Sequence, residues 1–158
     1  MPPEPVSLII FSGDYDRSMA AFTIANGAAA EGRKVTMFFT FWGLGLLRRT
    51  SKPGPSLLRN VFKRLLPLGP NKLRLSRLNF AGLGPMLLRR LIHQQDGQTL
   101  ADLVQMALDR GVEMVACAAS LKLLGISREE LLASERVRIG DVHDLLAAAD
   151  KAGTCLFI

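Results

Sequence analysis

Short apolar runs alternate with amphipathic stretches along most of this chain, and the alternation predicts an order of strands and helices. Val6–Phe11 (VSLIIF) is an apolar run stopped by Ser12-Gly13-Asp14, the pattern of a buried strand. The segment to about Glu31 repeats Met19, Phe22, Ala25 and Ala29 at helical spacing. Asp14 or Asp16 can cap it, and Gly32 stands where a C′ glycine belongs. Val35–Phe41 (VTMFFTF) predicts a second buried strand. A strand, a helix and a strand in that span make a βαβ unit, which crosses over right-handed into a parallel sheet.

The same rhythm returns later in the chain. Thr99–Arg110 predicts a helix closed by Gly111, and Val112–Cys117 a strand. Ser120–Leu124 predicts a short helix ended by Gly125. Ser127-Arg128-Glu129-Glu130 is a capping box that opens another short helix. Val137–Ile139 predicts a brief strand, Asp141–Ala152 a helix ended by Gly153, and Thr154–Ile158 a final strand. Five strands with helices between them predict an α/β domain, three-layer α/β/α with a five-stranded parallel sheet.

Residues 50–95 break the rhythm. A strand-to-helix connection normally takes about 2–6 residues. Here Pro53, Pro55, Pro67, Pro70 and Pro85 punctuate a much longer stretch. Within it Ser56–Leu66 (SLLRNVFKRLL) is amphipathic. Leu57, Leu58, Val61, Phe62, Leu65 and Leu66 share a face, with Arg59, Lys63 and Arg64 off it. Pro85–Ile92 (PMLLRRLI) behaves similarly. We read one domain over residues 1–158, with a helical insertion at about 48–95 lying over the sheet's edge. Gly43 and Gly45, after the second strand, permit a tight turn. They lack the third glycine of a dinucleotide fingerprint.

Charge changes the picture of the insertion. From Arg33 to Gln95 there is no Asp or Glu, and the segment holds 13 of the chain's 20 basic residues. The net charge of +6 is therefore an acidic domain carrying a basic block. The block points to an acidic protein, an anionic membrane or a phosphate-bearing ligand. Arg59, Lys63, Arg64, Arg89 and Arg90 are the expected docking cations. Nucleic acid is not expected, because aromatic residues in the block are few. The uncharged stretch Val35–Leu47 is 13 residues long, and a membrane span needs about 20. The acidic, Pro-rich start MPPEP lacks the basic region of a secretory leader. A cytoplasmic protein is expected, with contact at a membrane surface left open.

The candidate chemistry centres on Cys117. A thiol at a strand's carboxyl end, just before a helix, sits near unpaired backbone N–H groups that favour thiolate. A small buried hydrophobe is an equally open reading of that position. Cys155, inside the last strand, is expected to be buried and inert. A resolving role would require Cα atoms within about 4–7 Å of each other. Ser12 and Asp14 would share the sheet edge with Cys117 if the sheet is parallel, either in the site or merely capping the helix. His93 and His143 stand alone, so no metal site is expected. No nucleophile elbow, phosphate-binding loop or paired-carboxylate pattern is present.

The strand and turn FTFWGLGLLRR (Phe39–Arg49), the Pro-rich insertion after it, ACAASLKLLGI (Ala116–Ile126) and the turn SGDYD (Ser12–Asp16) together resemble the DsrE/DsrF/DsrH-like family. The similarity is to its branch labelled peroxiredoxin-like or DsrE-type sulfurtransferase, and it covers nearly the whole chain. The resemblance implies a five-stranded parallel α/β/α domain, homo- or hetero-oligomers, and no cofactor. It also implies sulfur relay, in which one cysteine takes sulfane sulfur as a persulfide and passes it to another carrier. Cys117 is the matching cysteine, and donor and acceptor proteins are the implied partners. Ser12, Gly13, Asp14, Trp42, Gly43 and Ser120 are expected to shape its site. The alternative is a non-catalytic oligomeric module that binds an anionic ligand, partner or membrane through the basic block.

Overall fold

A computed structural model describes residues 3–52, 57–76, 87–88, 90–92 and 97–158. The strands are β1 (Val6–Ile10), β2 (Val35–Phe39), β3 (Glu113–Cys117), β4 (Val137–Gly140) and β5 (Thr154–Phe157). The α-helices described are α1 (Tyr15–Ala30), α2 (Leu57–Leu65), α3 (Leu100–Asp109), α4 (Ala118–Leu124) and α5 (Val142–Asp150). The strands form one sheet in the order β4-β3-β2-β1-β5, and every neighbouring pair is parallel. Helices cover both sides of it, as expected for the α/β class.

Register builds the core. Leu8, Met37 and Met114 lie side by side across β1, β2 and β3, and Ile10, Phe39 and Ala116 form the next row. All six are buried, and Phe22 of α1 packs its ring on Phe39 at 6.2 Å. Burying each large side chain of these rows contributes about 1.5–3 kcal/mol. α1 and α3 pack on each other over this face. Asn26 Nδ2 donates to the Leu103 carbonyl at 2.9 Å, and Arg110 donates back to the Asn26 carbonyl at 2.9 Å. Right-handed crossovers put these helices on one face. The chain then reverses direction across the sheet to reach β5, which takes α5 to the other face. Capping boxes Thr99/Asp102 and Asp141/Asp144 start α3 and α5.

Three local expectations change. The segment after β2 is not a tight turn but a 3₁₀ helix, Phe41–Leu47, with Leu44, Leu46 and Leu47 buried. Its Gly43 passes so close to β1 that a Cβ would lie 2.3 Å from the Ile10 carbonyl oxygen, so only glycine fits. Asp14 stands at the N-cap of α1, but its side chain accepts no cap hydrogen bond. α4 begins immediately after Cys117 rather than at Ser120.

The largest departure is α2. Half of its expected inward face looks out: Leu57 is 81% exposed, Leu65 67%, and Val61 is exposed as well, whereas Leu66 is buried and the Leu58 and Phe62 side chains lie outside the described residues. Lys63, expected as a docking cation, is only 5% exposed. The cause is a buried charge cluster. Lys63 Nζ donates to Glu130 Oε1 at 2.7 Å and to the Lys52 carbonyl at 3.0 Å. Arg48, fully buried, reaches Glu130 Oε2 at 3.4 Å and the Lys63 carbonyl at 2.9 Å. Breaking a buried ion pair costs about 3–5 kcal/mol, comparable to exposing two or three apolar side chains at about 1.5–3 kcal/mol each. Pairing with the carboxylate holds Lys63 inward, and Leu57, Val61 and Leu65 turn outward with it. Leu66 and Leu73, just beyond α2, complete the attachment by entering the core.

Burial alone would push the Glu130 carboxyl up. The Lys63 ammonium and the N–H groups of Ser127 and Lys52 outweigh it and hold the carboxyl below the ordinary glutamate value. A depressed carboxylate stabilises the fold above its unfolded pKa, and that contribution is lost as pH falls through the folded value. Glu130→Ala should lower the unfolding free energy by about 3–5 kcal/mol, because it strands two buried cations. Urea titrations at neutral pH would read this. The gap between wild type and variant should narrow on acidification, and a constant gap would contradict the assignment.

Candidate functional site

Cys117 ends β3 opposite Gly140 of β4. On its other side Ala116 pairs with Phe39, so the next residue of that strand, Thr40, stands beside Cys117. α4 springs from the cysteine itself, which occupies the N-cap position. Burial pushes the thiol up, but four donors outweigh it: the Ser120 hydroxyl, the Ser120 N–H, the Thr40 hydroxyl and the Ala119 N–H. They hold the thiol below the ordinary cysteine value. Thr40 Oγ1 and Ser120 Oγ also lie 2.9 Å from each other, so when one hydroxyl donates to the sulfur the other can donate to it in turn. The sulfur is neither sealed in nor fully open, as Cys117 is half-buried. Gly140 adds no side chain on the β4 side. A Cβ there would lie 2.5 Å from Val115 Cγ1.

Such an arrangement favours a thiolate and leaves it reachable. A thiolate can attack a sulfur atom, and the same donors can hold the terminal sulfur of a persulfide. Phe41, the residue after Thr40, adopts φ 44°, uncommon for a non-glycine residue. Its ring packs against Phe11 at 5.5 Å with the planes tilted by 48°, and the chain turns sharply at the end of β2.

The residues expected around Cys117 divide into two places. Ser120 is at the sulfur. Ser12, Gly13, Asp14 and Trp42 instead line a separate cavity of about 520 Å³ beyond the end of β1, with Arg17 and Arg74 among its other walls. Ser12 Oγ donates to Asp14 Oδ2 at 2.9 Å and accepts from the Asp14 N–H, which stiffens that loop. Gly43 is buried against β1. By strand spacing, Cys117 and the end of β1 are about 10 Å apart along one edge of the sheet. Of the expected docking cations, Arg64 and Arg90 are exposed and Lys63 is not. The Arg59 side chain, Arg89 and His93 lie outside the described residues.

Cys155 is exposed rather than buried, because β5 is an edge strand with no cover. It pairs with Ser7, three strand positions across from Cys117 and near the other end of the sheet. The spacing is on the order of 20 Å, far outside disulfide reach. Cys155 of the same chain therefore cannot resolve Cys117. His143 is exposed, as expected. Sequence reasoning missed Thr40 and Gly140. The signal for Thr40 was its place at the end of the strand VTMFFTF, which matters only once β2 is known to lie beside β3.

With this geometry in hand, the chain can be set beside known proteins. Residues 3–157 match the DsrE/DsrF/DrsH-like family, and the chain belongs to it. It is 40% identical over 156 residues to the uncharacterized protein YrkE of Bacillus subtilis, covering 96% of this chain and 95% of the relative. It is 24% identical over 162 residues to the sulfur carrier protein DsrE2 of Allochromatium vinosum, covering both chains completely. Two solved structures share the fold: the ychN protein of Escherichia coli and MTH1491 of Methanobacterium thermoautotrophicum. Both have a TM-score of 0.57, at 12% and 14% identity. The first covers 99% of this chain and 100% of its own; the second covers 98% and 99%. No helix among the described residues is long and apolar enough to cross a membrane.

The donor set predicts a measurable titration. Alkylation of Cys117 by iodoacetamide should reach half its maximal rate below the pH of an ordinary thiol. Ser120→Ala should raise that midpoint, and Thr40→Val should do so to a smaller extent. Each should slow alkylation at neutral pH, Ser120→Ala by about tenfold, since a hydrogen bond to an anion contributes about 1.5–3 kcal/mol. Profiles that superimpose on wild type would exclude these donors as the cause.

Proposed function

We propose that this protein is a sulfur carrier that holds sulfane sulfur as a persulfide on Cys117 and relays it to a partner protein. The observation that carries the reading is the half-buried thiol at a strand end and helix N-cap, beside the hydrogen-bonded Thr40 and Ser120 hydroxyls, an environment that lowers its pKa. Membership of the DsrE/DsrF/DrsH-like family and the likeness to a sulfur carrier support it. In the loading step the Cys117 thiolate attacks the outer sulfur of a donor persulfide, R–S–SH. The S–S bond breaks, Cys117–S–SH forms, and R–S⁻ leaves. In the unloading step an acceptor thiolate attacks the outer sulfur of Cys117–S–SH, and the Cys117 thiolate is the leaving group. Both steps conserve the sulfane sulfur and need no external oxidant. The donors around Cys117 stabilise the anion that begins and ends the cycle.

An acidic carrier is the partner we favour. Arg49, Lys52, Arg64 and Arg90 are exposed, and α2 turns Leu57, Val61 and Leu65 outward beside them. The same ridge and cations would suit an anionic lipid surface. Two free thiols on the order of 20 Å apart fit a reducing compartment, the cytoplasm. Self-association is part of the proposal. β5 is an edge strand carrying exposed Leu156 and Phe157, the latter 68% exposed, and α5 shows Val142 and Leu146 to solvent. An open apolar edge of this kind invites pairing with another chain.

Two measurements test these statements. After incubation with polysulfide, intact mass should rise by one sulfur atom in wild type and Cys155→Ser but not in Cys117→Ser. An adduct that persists in Cys117→Ser sinks the carrier assignment. In sedimentation velocity the wild type should run as an oligomer, and Phe157→Glu should shift it toward monomer. A monomeric wild type would remove self-association from the proposal.

A further inference from the structure

The cavity at the end of β1 is not used by the sulfur chemistry, and its composition is unusual. Three segments distant in sequence meet there: the turn after β1, the 3₁₀ helix after β2, and the end of α2 with the strap that continues it through Lys72 and Arg74. They bring Arg17, Arg64, Lys72 and Arg74 to its walls against a single acid, Asp14. Asp14 is matched by Arg17, whose Nε lies 3.7 Å from its carboxylate. Among the described residues no carboxylate stands in ion-pair range of Arg64, Lys72 or Arg74. Like charges gathered in a cleft repel one another and focus a positive potential into it, which a bound anion relieves.

The strap that carries Arg74 is anchored to the turn after β1. Arg74 forms a parallel bridge with Asp14, and its carbonyl accepts from the Tyr15 N–H at 2.7 Å. Ser76, two residues on, donates through its N–H to Asp16 at 3.0 Å and through its hydroxyl to the other oxygen of the same carboxylate. Leu66 and Leu73 are buried at either end of the strap. Apart from Ser12 and Gly13, the rest of the lining is apolar. Phe11, Trp42, Leu65 and Leu68 provide a surface for carbon and not for a bare inorganic ion. The volume of about 520 Å³ is that of a small-molecule site. Its place is also apt. β2 lies on one side of β1 and β5 on the other, so β1 is where the strand order reverses. Open α/β sheets take their ligands outside the carboxyl ends at that point.

We propose that this cavity is a binding site for a small organic polyanion. Arg64, Lys72 and Arg74 meet its anionic groups, and Trp42 and Phe11 meet its carbon frame. The inference goes beyond sulfur relay, because no cavity-lining residue is Cys117 and binding needs no sulfur chemistry.

Trp42 is the chain's only tryptophan, so it reports on the cavity. Wild type at low salt would be titrated with citrate, adenosine diphosphate and inorganic phosphate. At least one of the two organic anions should change Trp42 emission saturably, and inorganic phosphate should bind at least about tenfold more weakly. The two organic probes separate a polycarboxylate ligand from a phosphate ester. Arg74→Gln and Arg64→Gln, on different segments, should each weaken binding by about tenfold, the effect of losing one charge-assisted contact. Arg90→Gln, exposed and outside the cavity, and Cys117→Ser should leave it unchanged. Loss of binding in Cys117→Ser would overturn the separation of the two sites. The proposal is also overturned by three results: no saturable binding of either organic probe by fluorescence or calorimetry, equal affinity for inorganic phosphate, or equal weakening by Arg90→Gln. Persulfide formation on Cys117 is measured separately by mass, so failure of either reading leaves the other standing.

Discussion

Glu130 is a carboxylate with almost no access to water, and two cations from elsewhere in the chain must reach it. Arg48 arrives from the end of the 3₁₀ helix after β2, and Lys63 from the last turn of α2. One carboxylate cannot satisfy two cations. Further donors go to backbone carbonyls, those of Lys63 and Leu66 for Arg48 and that of Lys52 for Lys63, while Arg48 Nε is left without a partner among the described residues. Two of those carbonyls belong to the last turn of α2 and the residue just past it, where helix carbonyls lack internal partners and welcome a positive charge. Ionic pairing and helix capping thus act on the same atoms. Together they tie the basic insertion to the sheet, and the rotation of α2 follows from them.

That attachment shapes the edge of the sheet. With α2 held by Glu130 and the following strap by Leu66 and Leu73, Arg64, Lys72 and Arg74 come over the end of β1. Cys117 depends on a different constraint, the parallel register that brings the ends of β2 and β3 level. Two neighbouring features of one sheet edge therefore have separate causes. One is a half-buried thiol among hydroxyl and N–H donors, and the other is a cavity of uncompensated cations. They lie about 10 Å apart by strand spacing. This proximity explains why residues from both had looked like members of one site when only their positions at strand ends were known.

Much of the frame was legible from local patterns. VSLIIF, VTMFFTF and VEMVAC are strands because apolar runs of that length, ended by small or turn-forming residues, are buried on both faces of a parallel sheet. The Ser127-to-Glu130 capping box was legible as well, and the structure closes it. Family membership was legible too, since the motifs that carry it lie at these same strand ends. The errors have a common origin. The face of α2 was assigned by hydrophobic periodicity, which assumes that leucines go inward. It cannot register a buried glutamate 67 residues from the lysine it binds. Cys155 was placed inside because an apolar strand is usually covered, and only the strand order makes β5 an edge.

By itself the sequence determined the class of the fold, the position of Cys117 at a strand end and the concentration of positive charge before it. These depend on neighbours a few residues apart, where spacing, capping and charge counts carry the physics. Tertiary structure alone decided which groups surround the sulfur, which way α2 faces, and that Ser12, Asp14 and Trp42 belong to a cavity of their own. Those outcomes rest on contacts between distant segments, such as Thr40 with Ser120 and Lys63 with Glu130, separated by 80 and 67 positions. No local pattern encodes such pairs, because their free energy exists only once the sheet has set the register between strands.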